Sequence, residues 1–187
     1  MSDRVSFGDV LRGGAALISR TPRIAKTVHG ALLRPDFLRE SLGSWLETAA
    51  KRHPDRVAVL FEDERWTYRE LNRAVNRWAR WLRSRGVQPG DAVAVQLLNR
   101  PELLIIVGAL ARLGAVASLI NTQQRGDVLL HSYSASSAKH ILVDPELWDA
   151  WEEVSDRCEV PADVVDTKLC NQVSAESSAK LSGPAVR

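Results

Sequence analysis

The chain has 187 residues, of which 45% are hydrophobic and 26% are charged, and its formal net charge is +2. These values are ordinary for one globular domain with flanking segments, and the charge is too small to indicate a nucleic-acid partner. The two cysteines, Cys158 and Cys170, form neither a disulfide framework nor a zinc motif. The N-terminus lacks the pattern of a signal peptide. A cytoplasmic location is therefore expected, with membrane association as an open alternative.

Residues 1–40 are predicted to form a basic amphipathic leader. No acidic residue occurs between Asp9 and Asp36, where apolar residues alternate with Arg12, Arg20, Arg23, Lys26 and Arg34. This pattern favours peripheral contact of residues 10–34 with an anionic membrane surface. An ordinary helix packed on the domain and a partly disordered arm are the alternatives, because Gly13, Gly14 and Pro22 interrupt a continuous helix.

Strand and helix patterns alternate over residues 41–160, which are predicted to form the folded domain. A capping box of Ser44 and Glu47 predicts the first helix. A second box, Thr67 and Glu70, opens a long amphipathic helix that Gly86 ends. The other predicted elements are strand 57–61, a return strand from Trp66 to Tyr68, strand 92–97, helix 101–113, strand 115–120, helix 126–135, strand 139–143 and a last helix carrying Trp148 and Trp151.

This alternation predicts an α/β fold with a mostly parallel sheet flanked by helices and joined by right-handed crossovers. Its strands are apolar almost throughout, as expected where helices cover both faces of a sheet. Residues 103–120 carry one charge, Arg112, and are interpreted as a helix and a buried strand rather than a membrane span. Residues 161–187 are expected to form a disordered tail, because their end is rich in Ser, Ala, Gly and Lys.

Nucleotide-binding patterns are absent from the sequence, which contains neither G-x-G-x-x-G nor G-x-x-x-x-G-K-[ST]. A row of arginines on the long helix is interpreted as a solvated face rather than a phosphate groove. This row consists of Arg69, Arg73, Arg77, Arg80 and Arg83. Trp78 and Trp81 fall on the apolar stripe of the same helix and are predicted to anchor the core.

The histidines and serines do not indicate a catalytic site or a metal site. His131, which precedes a run of serines, is interpreted as a partly buried helix residue rather than a catalytic base. His29, His53 and His140 have no partners at metal-ligand spacing. We therefore assign no catalytic, cofactor-binding or metal-binding residue from the sequence.

Several motifs, in this order, resemble those of the adenylate-forming enzymes, which include acyl-CoA synthetases, luciferases and peptide-synthetase adenylation domains. Trp66-Thr67-Tyr68-Arg69-Glu70-Leu71 resembles their first core motif, and residues 110–120 resemble the second. Gly86 to Asp91 and Asn99-Arg100-Pro101-Glu102 are also similar to the family. The segment from Asn121 through Arg125 to Leu129-Leu130-His131 resembles the long- and very-long-chain fatty-acid–CoA ligases of the fatty-acid transport branch. The resemblance covers roughly residues 40–155.

The resemblance implies an enzyme that activates a fatty acid with ATP and Mg²⁺ and then transfers the acyl group to coenzyme A. In the family this chemistry uses a Ser/Thr/Gly-rich loop ending in Pro-Lys-Gly, a glutamate that serves the metal, a ribose-binding aspartate and a C-terminal lysine. None of these motifs occurs in the sequence. No cofactor is therefore expected to bind this chain alone.

Three hypotheses follow. The first is an incomplete N-terminal subdomain of a fatty-acid–CoA ligase, ended early by truncation, frameshift or gene splitting and inactive alone. The second is a split subunit that completes a separate chain, because an interrupted sheet leaves a bare edge and apolar surface. The third is a binding module for acyl chains or a membrane surface. Nucleic acid is not an expected partner.

Overall fold

The secondary structure is taken from a computed structural model, which describes residues 42–179. The helices are α1 (Leu42–Arg52), α2 (Tyr68–Ser84), α3 (Pro101–Leu113), α4 (Gly126–Ala135), α5 (Trp148–Ser155) and α6 (Thr167–Ser174). The strands are β1 (Val57–Phe61), β2 (Glu64–Thr67), β3 (Ala92–Gln96), β4 (Val116–Leu119), β5 (His140–Val143) and β6 (Ala162–Val164). A short 3₁₀ helix, Pro145–Leu147, precedes α5. The predicted leader and residues 180–187 lie outside the described part of the chain.

A parallel sheet of four strands, in the order β4-β3-β5-β6, forms the centre of the fold. Ala94 of β3 lies opposite Ser118 of β4 on one side and Ile141 of β5 on the other. β6 extends the sheet through parallel pairing with β5, while β1 and β2 form a separate antiparallel hairpin. The predicted α/β class, with a mostly parallel sheet flanked by helices, is confirmed.

Helices cover both faces of this sheet, which explains the apolar strands. Val93, Val95 and Leu142 belong to a core cluster shared with α2, α3 and α6. Ala94 and Ile141 belong to a second cluster, shared with α4 and α5. Successive side chains of a strand point to opposite faces, so both sets must be apolar when both faces are covered. All five of these side chains are at most 1% exposed.

Helix α2 begins and ends at the predicted signals. The Glu70 amide donates to Thr67 Oγ1 at 3.3 Å, and the Thr67 amide donates to Glu70 Oε2 at 2.8 Å. The helix ends at Ser84, and Gly86 adopts the left-handed conformation with φ of +88°. The rings of Trp78 and Trp81 are buried and meet edge to face at 5.4 Å. The capping box, the helix end and the core position of both tryptophans are therefore confirmed.

The apolar segment 103–120 forms most of α3 followed by β4. Pro101 occupies the first turn of α3, and Gly114 ends the helix with φ of +71°. The interpretation of this segment as a helix and a strand is confirmed. Over residues 42–179, no helix combines the length and apolarity needed to cross a bilayer.

Helix α1 starts earlier than predicted. It begins at Leu42, so Ser44 lies inside its first turn and does not cap it. The first turn of α1 packs closely on α3. Gly43 is buried against the backbone of Arg112, whose Nη2 donates to the Gly43 carbonyl at 2.9 Å.

The expectation of a disordered tail from residue 161 is wrong for residues 162–174, which form β6 and α6. Asp166 caps α6 by accepting a hydrogen bond from the Leu169 amide at 2.7 Å. Leu169 and Val173 are buried in the cluster that contains α2. The neighbouring strand β5 supplies backbone partners for β6, so few apolar side chains are needed to order the segment. The folded domain therefore extends beyond residue 160.

Candidate functional site

Open α/β sheets bind ligands at the carboxyl ends of their strands, at the point where the strand order reverses. In this sheet that point lies between β3 and β5. Helix α3, which follows β3, contributes to one core cluster, and α4, which precedes β5, contributes to the other. Residues 97–100 leave β3 here, and Asp144 leaves β5. These segments form the switch point of the fold.

A buried carboxylate closes the switch point. Asp144 has no solvent exposure, and its oxygens accept hydrogen bonds from the amides of Leu98 and Glu146, both at 3.2 Å. Arg100 Nη1 lies 3.3 Å from each oxygen of Asp144, and Arg100 Nε donates to Glu102 at 3.1 Å. Because these groups satisfy the carboxylate internally, Asp144 joins the two segments and is not available as a base for a ligand.

A second polar pair lies beneath this network. The Tyr133 hydroxyl, on α4, donates to Gln96 Oε1 at the end of β3, and both side chains are buried. Burial raises the pKa of the Tyr133 phenol, with a smaller contribution from Cys158. Tyr133 therefore stays neutral at physiological pH. Its hydrogen bond ties α4 to the sheet, and within the described residues Gln96 Nε2 has no hydrogen-bond partner.

The residues at the switch point do not fit the triphosphate of ATP. The carboxylates of Asp144 and Glu102 lie where a phosphate would need donors, and Pro101 in the first turn of α3 has no amide hydrogen. Within residues 42–179, no three His, Cys, Asp or Glu side chains are grouped closely enough to hold a metal ion. We therefore derive no reaction step through ATP or Mg²⁺ at this edge.

The arginines of α2 have different partners and different surroundings. Arg69 pairs with Asp55 at 2.9 Å, and Arg80 donates to the Ala179 carbonyl at 2.9 Å. Arg73 and Arg77 instead face a groove of about 450 Å³ between α2 and α6. The row is therefore not the uniformly solvated face that the sequence predicts, because α6 packs along this side of α2.

Two serines at the C-terminal end of α4 donate hydrogen bonds to the backbone of the helix. Ser134 Oγ donates to the Leu130 carbonyl at 3.0 Å, and Ser136 Oγ donates to the Tyr133 carbonyl at 2.6 Å. His131 is exposed, so the prediction that it is partly buried is wrong. The helix turns this side chain away from the core that its neighbour Leu129 enters.

A histidine–aspartate pair lies at the amino end of β5 and was not predicted from the sequence. His140 Nε2 lies 2.9 Å from Asp163 Oδ2 on β6, and Arg85 Nη2 lies 3.5 Å from Oδ1 of the same carboxylate. The ring of Trp81 packs edge-on against the imidazole at 6.1 Å. Burial lowers the pKa of His140, although Asp163 acts in the opposite direction. The partner was missed because Asp163 lies in the segment expected to be disordered.

Known proteins match this chain in sequence and in fold. A family model described as AMP-binding enzyme matches residues 46–185. The chain is 36% identical over 151 residues to the medium/long-chain fatty-acid–CoA ligase FadD6 of Mycobacterium tuberculosis, covering 80% of this chain and 25% of that protein. It is 36% identical over 118 residues to long-chain fatty acid transport protein 2 of Rattus norvegicus, covering 63% and 19%.

The N-terminal domain of FACL13 from Mycobacterium tuberculosis is a solved structure with the same fold, at a TM-score of 0.71 and 25% identity. That match covers 79% of this chain and 38% of the other. The chain thus spans about a quarter of FadD6 and less of the rat protein. The matches agree with the resemblance drawn from residues 66–71 and 110–120. Since the family model covers residues 46–185 of 187, the chain belongs to the AMP-binding enzyme family.

Proposed function

We propose that these 187 residues supply the N-terminal part of a fatty-acid–CoA ligase, in which ATP forms an acyl-adenylate and coenzyme A then accepts the acyl group. The observation that carries this proposal is the 36% identity with FadD6 over 151 residues. The rat fatty acid transport protein is equally similar over a shorter stretch. This second similarity, with the segment from Asn121 to His131, supports assignment to the fatty-acid transport branch.

In this proposal the chain is a scaffold rather than the catalytic centre. Its switch point is closed by Asp144 and Arg100, and its sequence lacks the phosphate loop, the metal-serving glutamate and the C-terminal lysine of the family. Positioned cationic groups and a metal are what lower the barrier of phosphoryl chemistry. These groups would come from polypeptide outside the 187 residues.

The direct test is an acyl-CoA synthesis assay with the purified 187-residue chain, ATP, Mg²⁺, coenzyme A and dodecanoate. We expect no product from this chain alone. A second sample would add a separately produced polypeptide that carries the missing motifs from a ligase of the same branch, and here we expect acyl-CoA. Product formed by the 187 residues alone would contradict the scaffold role, and none in the mixed sample would count against the proposal.

A second candidate function is an interaction module that completes another chain, and the exposed edge of the sheet favours it. Strand β4 lies at this edge, and its Val116 and Leu119 side chains are 53% and 63% exposed. Val128 on the adjacent helix α4 is 61% exposed. Exposed apolar side chains on an edge strand are typical of a surface that another segment covers.

This candidate is tested by the double substitution Val116→Lys and Leu119→Lys, which places charges on the edge strand. Both side chains are already exposed, so the free energy of unfolding should change by no more than about 0.5 kcal/mol. We expect the variant to lose co-purification with the polypeptide that carries the missing motifs. Lys substitutions at Leu60 on β1 and Leu104 on α3, which are also exposed, provide controls on other elements. Equal recovery of both variants would argue against the edge as the interface.

We also propose a cytoplasmic protein that contacts membranes peripherally through residues 10–34. The support is the basic and apolar pattern of that segment. Flotation of the full chain with anionic liposomes tests it, with Arg20→Glu and Arg23→Glu expected to abolish the binding. Unchanged flotation of this variant would show that the leader does not make the membrane contact.

A further inference from the structure

A cleft between α1, α2 and α3 carries an excess of positive charge. Its volume is about 440 Å³, within the range of small-molecule sites. Among residues 42–179, one carboxylate, that of Glu47, lines this cleft together with four cationic side chains. These four are Lys51, Arg69, Arg73 and Arg112. The packing of the three helices thus brings four cations to one place against a single lining carboxylate.

Two of the four cations already have a carboxylate partner. Lys51 Nζ lies 2.8 Å from Glu47 Oε1 on the same helix, and the Lys51 side chain is 74% exposed. Arg69 Nη2 lies 2.9 Å from Asp55 Oδ1, and the Asp55 side chain is 83% exposed. Ion pairs of such exposed side chains contribute little free energy, so neither pair prevents the cation from contacting a second anion.

Arg112, in the last turn of α3, has no ion pair within the described part of the chain. Its guanidinium donates instead to three uncharged oxygens, which are Asn76 Oδ1, Asn72 Oδ1 and the Gly43 carbonyl. Burial lowers the pKa of Arg112, although the charge of Glu47 acts in the opposite direction. An anion in the cleft would therefore stabilise the charged form of this side chain.

Arg73 is exposed and forms neither a hydrogen bond nor an ion pair with any of residues 42–179. Its side chain borders both this cleft and the groove between α2 and α6. Hydrogen bonds with Thr67 lower the pKa of Glu70, and the charge of Arg73 does so to a smaller extent. Because the capping box holds Glu70, this carboxylate does not pair with Arg73. The guanidinium of Arg73 is thus available to a ligand.

We propose that this cleft binds the phosphate group of a phosphomonoester, with Lys51, Arg69 and Arg73 donating to its oxygens. Arg112 adds positive charge from the third helix. A phosphomonoester carries close to two negative charges and three acceptor oxygens, so it suits cations that come from separate helices. A carboxylate, by contrast, is satisfied by one bidentate arginine. The volume leaves room for the organic part of the ester.

The cleft is separate from the switch point. Pro101 begins α3 beside the switch point, whereas Arg112 lies about 16 Å further along the axis of the same helix. Neither Asp144 nor Arg100 lines the cleft. The phosphate group would therefore lie away from the edge at which open α/β sheets bind nucleotides.

Calorimetric titration of the full 187-residue chain with glycerol 3-phosphate tests this site. We expect binding, and we expect Arg73→Gln and Lys51→Gln each to weaken it by about tenfold or more, since a charge-assisted hydrogen bond is lost. Both side chains are exposed, so the variants should fold normally. Arg52→Gln is the matched control, because Arg52 is also exposed but does not line the cleft, and its affinity should be unchanged. Acetate should compete at least about tenfold more weakly than inorganic phosphate.

A phosphomonoester is presented both by soluble metabolites and by the headgroup of phosphatidic acid, and flotation with vesicles distinguishes these sources. The vesicles contain phosphatidylcholine and phosphatidic acid. Residues 10–34 are identical in the unchanged chain and in Arg73→Gln, so a difference in flotation would come from the cleft. Weaker flotation of Arg73→Gln would assign the lipid headgroup. Equal flotation with weaker glycerol 3-phosphate binding would assign a soluble ester. If Arg73→Gln changes neither result, or if acetate competes as well as phosphate, the site is overturned.

Discussion

Arg100 Nη1 lies 3.3 Å from both carboxylate oxygens of Asp144, although the two residues are 44 positions apart in the chain. The contact joins the segment that leaves β3 to the segment that leaves β5. It therefore holds the two sides of the switch point together, and its loss should be measurable as a loss of stability.

We predict that Asp144→Asn destabilises the folded state by about 2–3 kcal/mol. An amide provides one acceptor oxygen in place of two and carries no charge, so Arg100 loses its ion pair and one of the amides of Leu98 and Glu146 loses its acceptor. The estimate lies below the usual range for a buried pair because the Arg100 side chain is 33% exposed. Urea unfolding measures the change. Asp149→Asn, an exposed control on α5, should stay within about 0.5 kcal/mol. Similar values for the two variants would contradict the role of Asp144.

Thr67→Ala should destabilise the protein by about 1 kcal/mol through loss of the capping box of α2. The hydroxyl of Thr67 accepts from the Glu70 amide and donates to its carboxylate. Thr48→Ala is the matched control, because its hydroxyl donates to a carbonyl of its own helix, that of Ser44. Thr48→Ala should change the free energy of unfolding by no more than about 0.5 kcal/mol. Thermal unfolding of Thr67→Ala and Thr48→Ala measures the difference. A neutral Thr67→Ala would show that the box does not contribute.

The two helical glycines of the α1–α3 and α2–α3 contacts should respond differently to the same substitution. A Cβ at Gly43 would lie 3.0 Å from the backbone of Arg112, so α1 must move, and Gly43→Ala should cost about 2 kcal/mol. A Cβ at Gly108 would lie 3.1 Å from a methyl group of Val75, which is able to shift. Gly108→Ala should therefore remain within about 1 kcal/mol, since alanine also favours the helix. Urea unfolding measures the loss of stability in both variants. A larger loss for Gly108→Ala than for Gly43→Ala would contradict the prediction.

Stability should fall as the pH falls below about 6.5, and His140 should contribute to this slope. Burial lowers the pKa of the folded His140 below that of the unfolded residue. The unfolded chain therefore takes up a proton first, and the contribution present above the unfolded pKa is lost as the pH falls through the folded one. His140→Gln should reduce the slope between about pH 6.5 and 5 in urea unfolding. An unaltered slope in His140→Gln would exclude this contribution.

Local signals in the sequence were sufficient for most of the fold. The Thr67–Glu70 box and Gly86 predicted the limits of α2, because capping depends on residues within a few positions of each other. The apolar strands predicted a sheet covered on both faces. The motif at residues 66–71 indicated the family that the comparisons then established.

Long-range contacts determined the parts of the fold that the sequence did not predict. The order of residues 162–174 depends on pairing with β5 and packing against α2, and neither of these partners is adjacent to the segment in the sequence. For the same reason the sequence revealed neither the partner of His140 nor the closure of the switch point by Asp144. The groove that holds Arg77 exists only because α6 packs beside α2. The sequence alone thus determined the family and the α/β class, through short-range pattern. Tertiary structure decided which charged groups are satisfied and which are left unpaired, because their partners lie far along the chain.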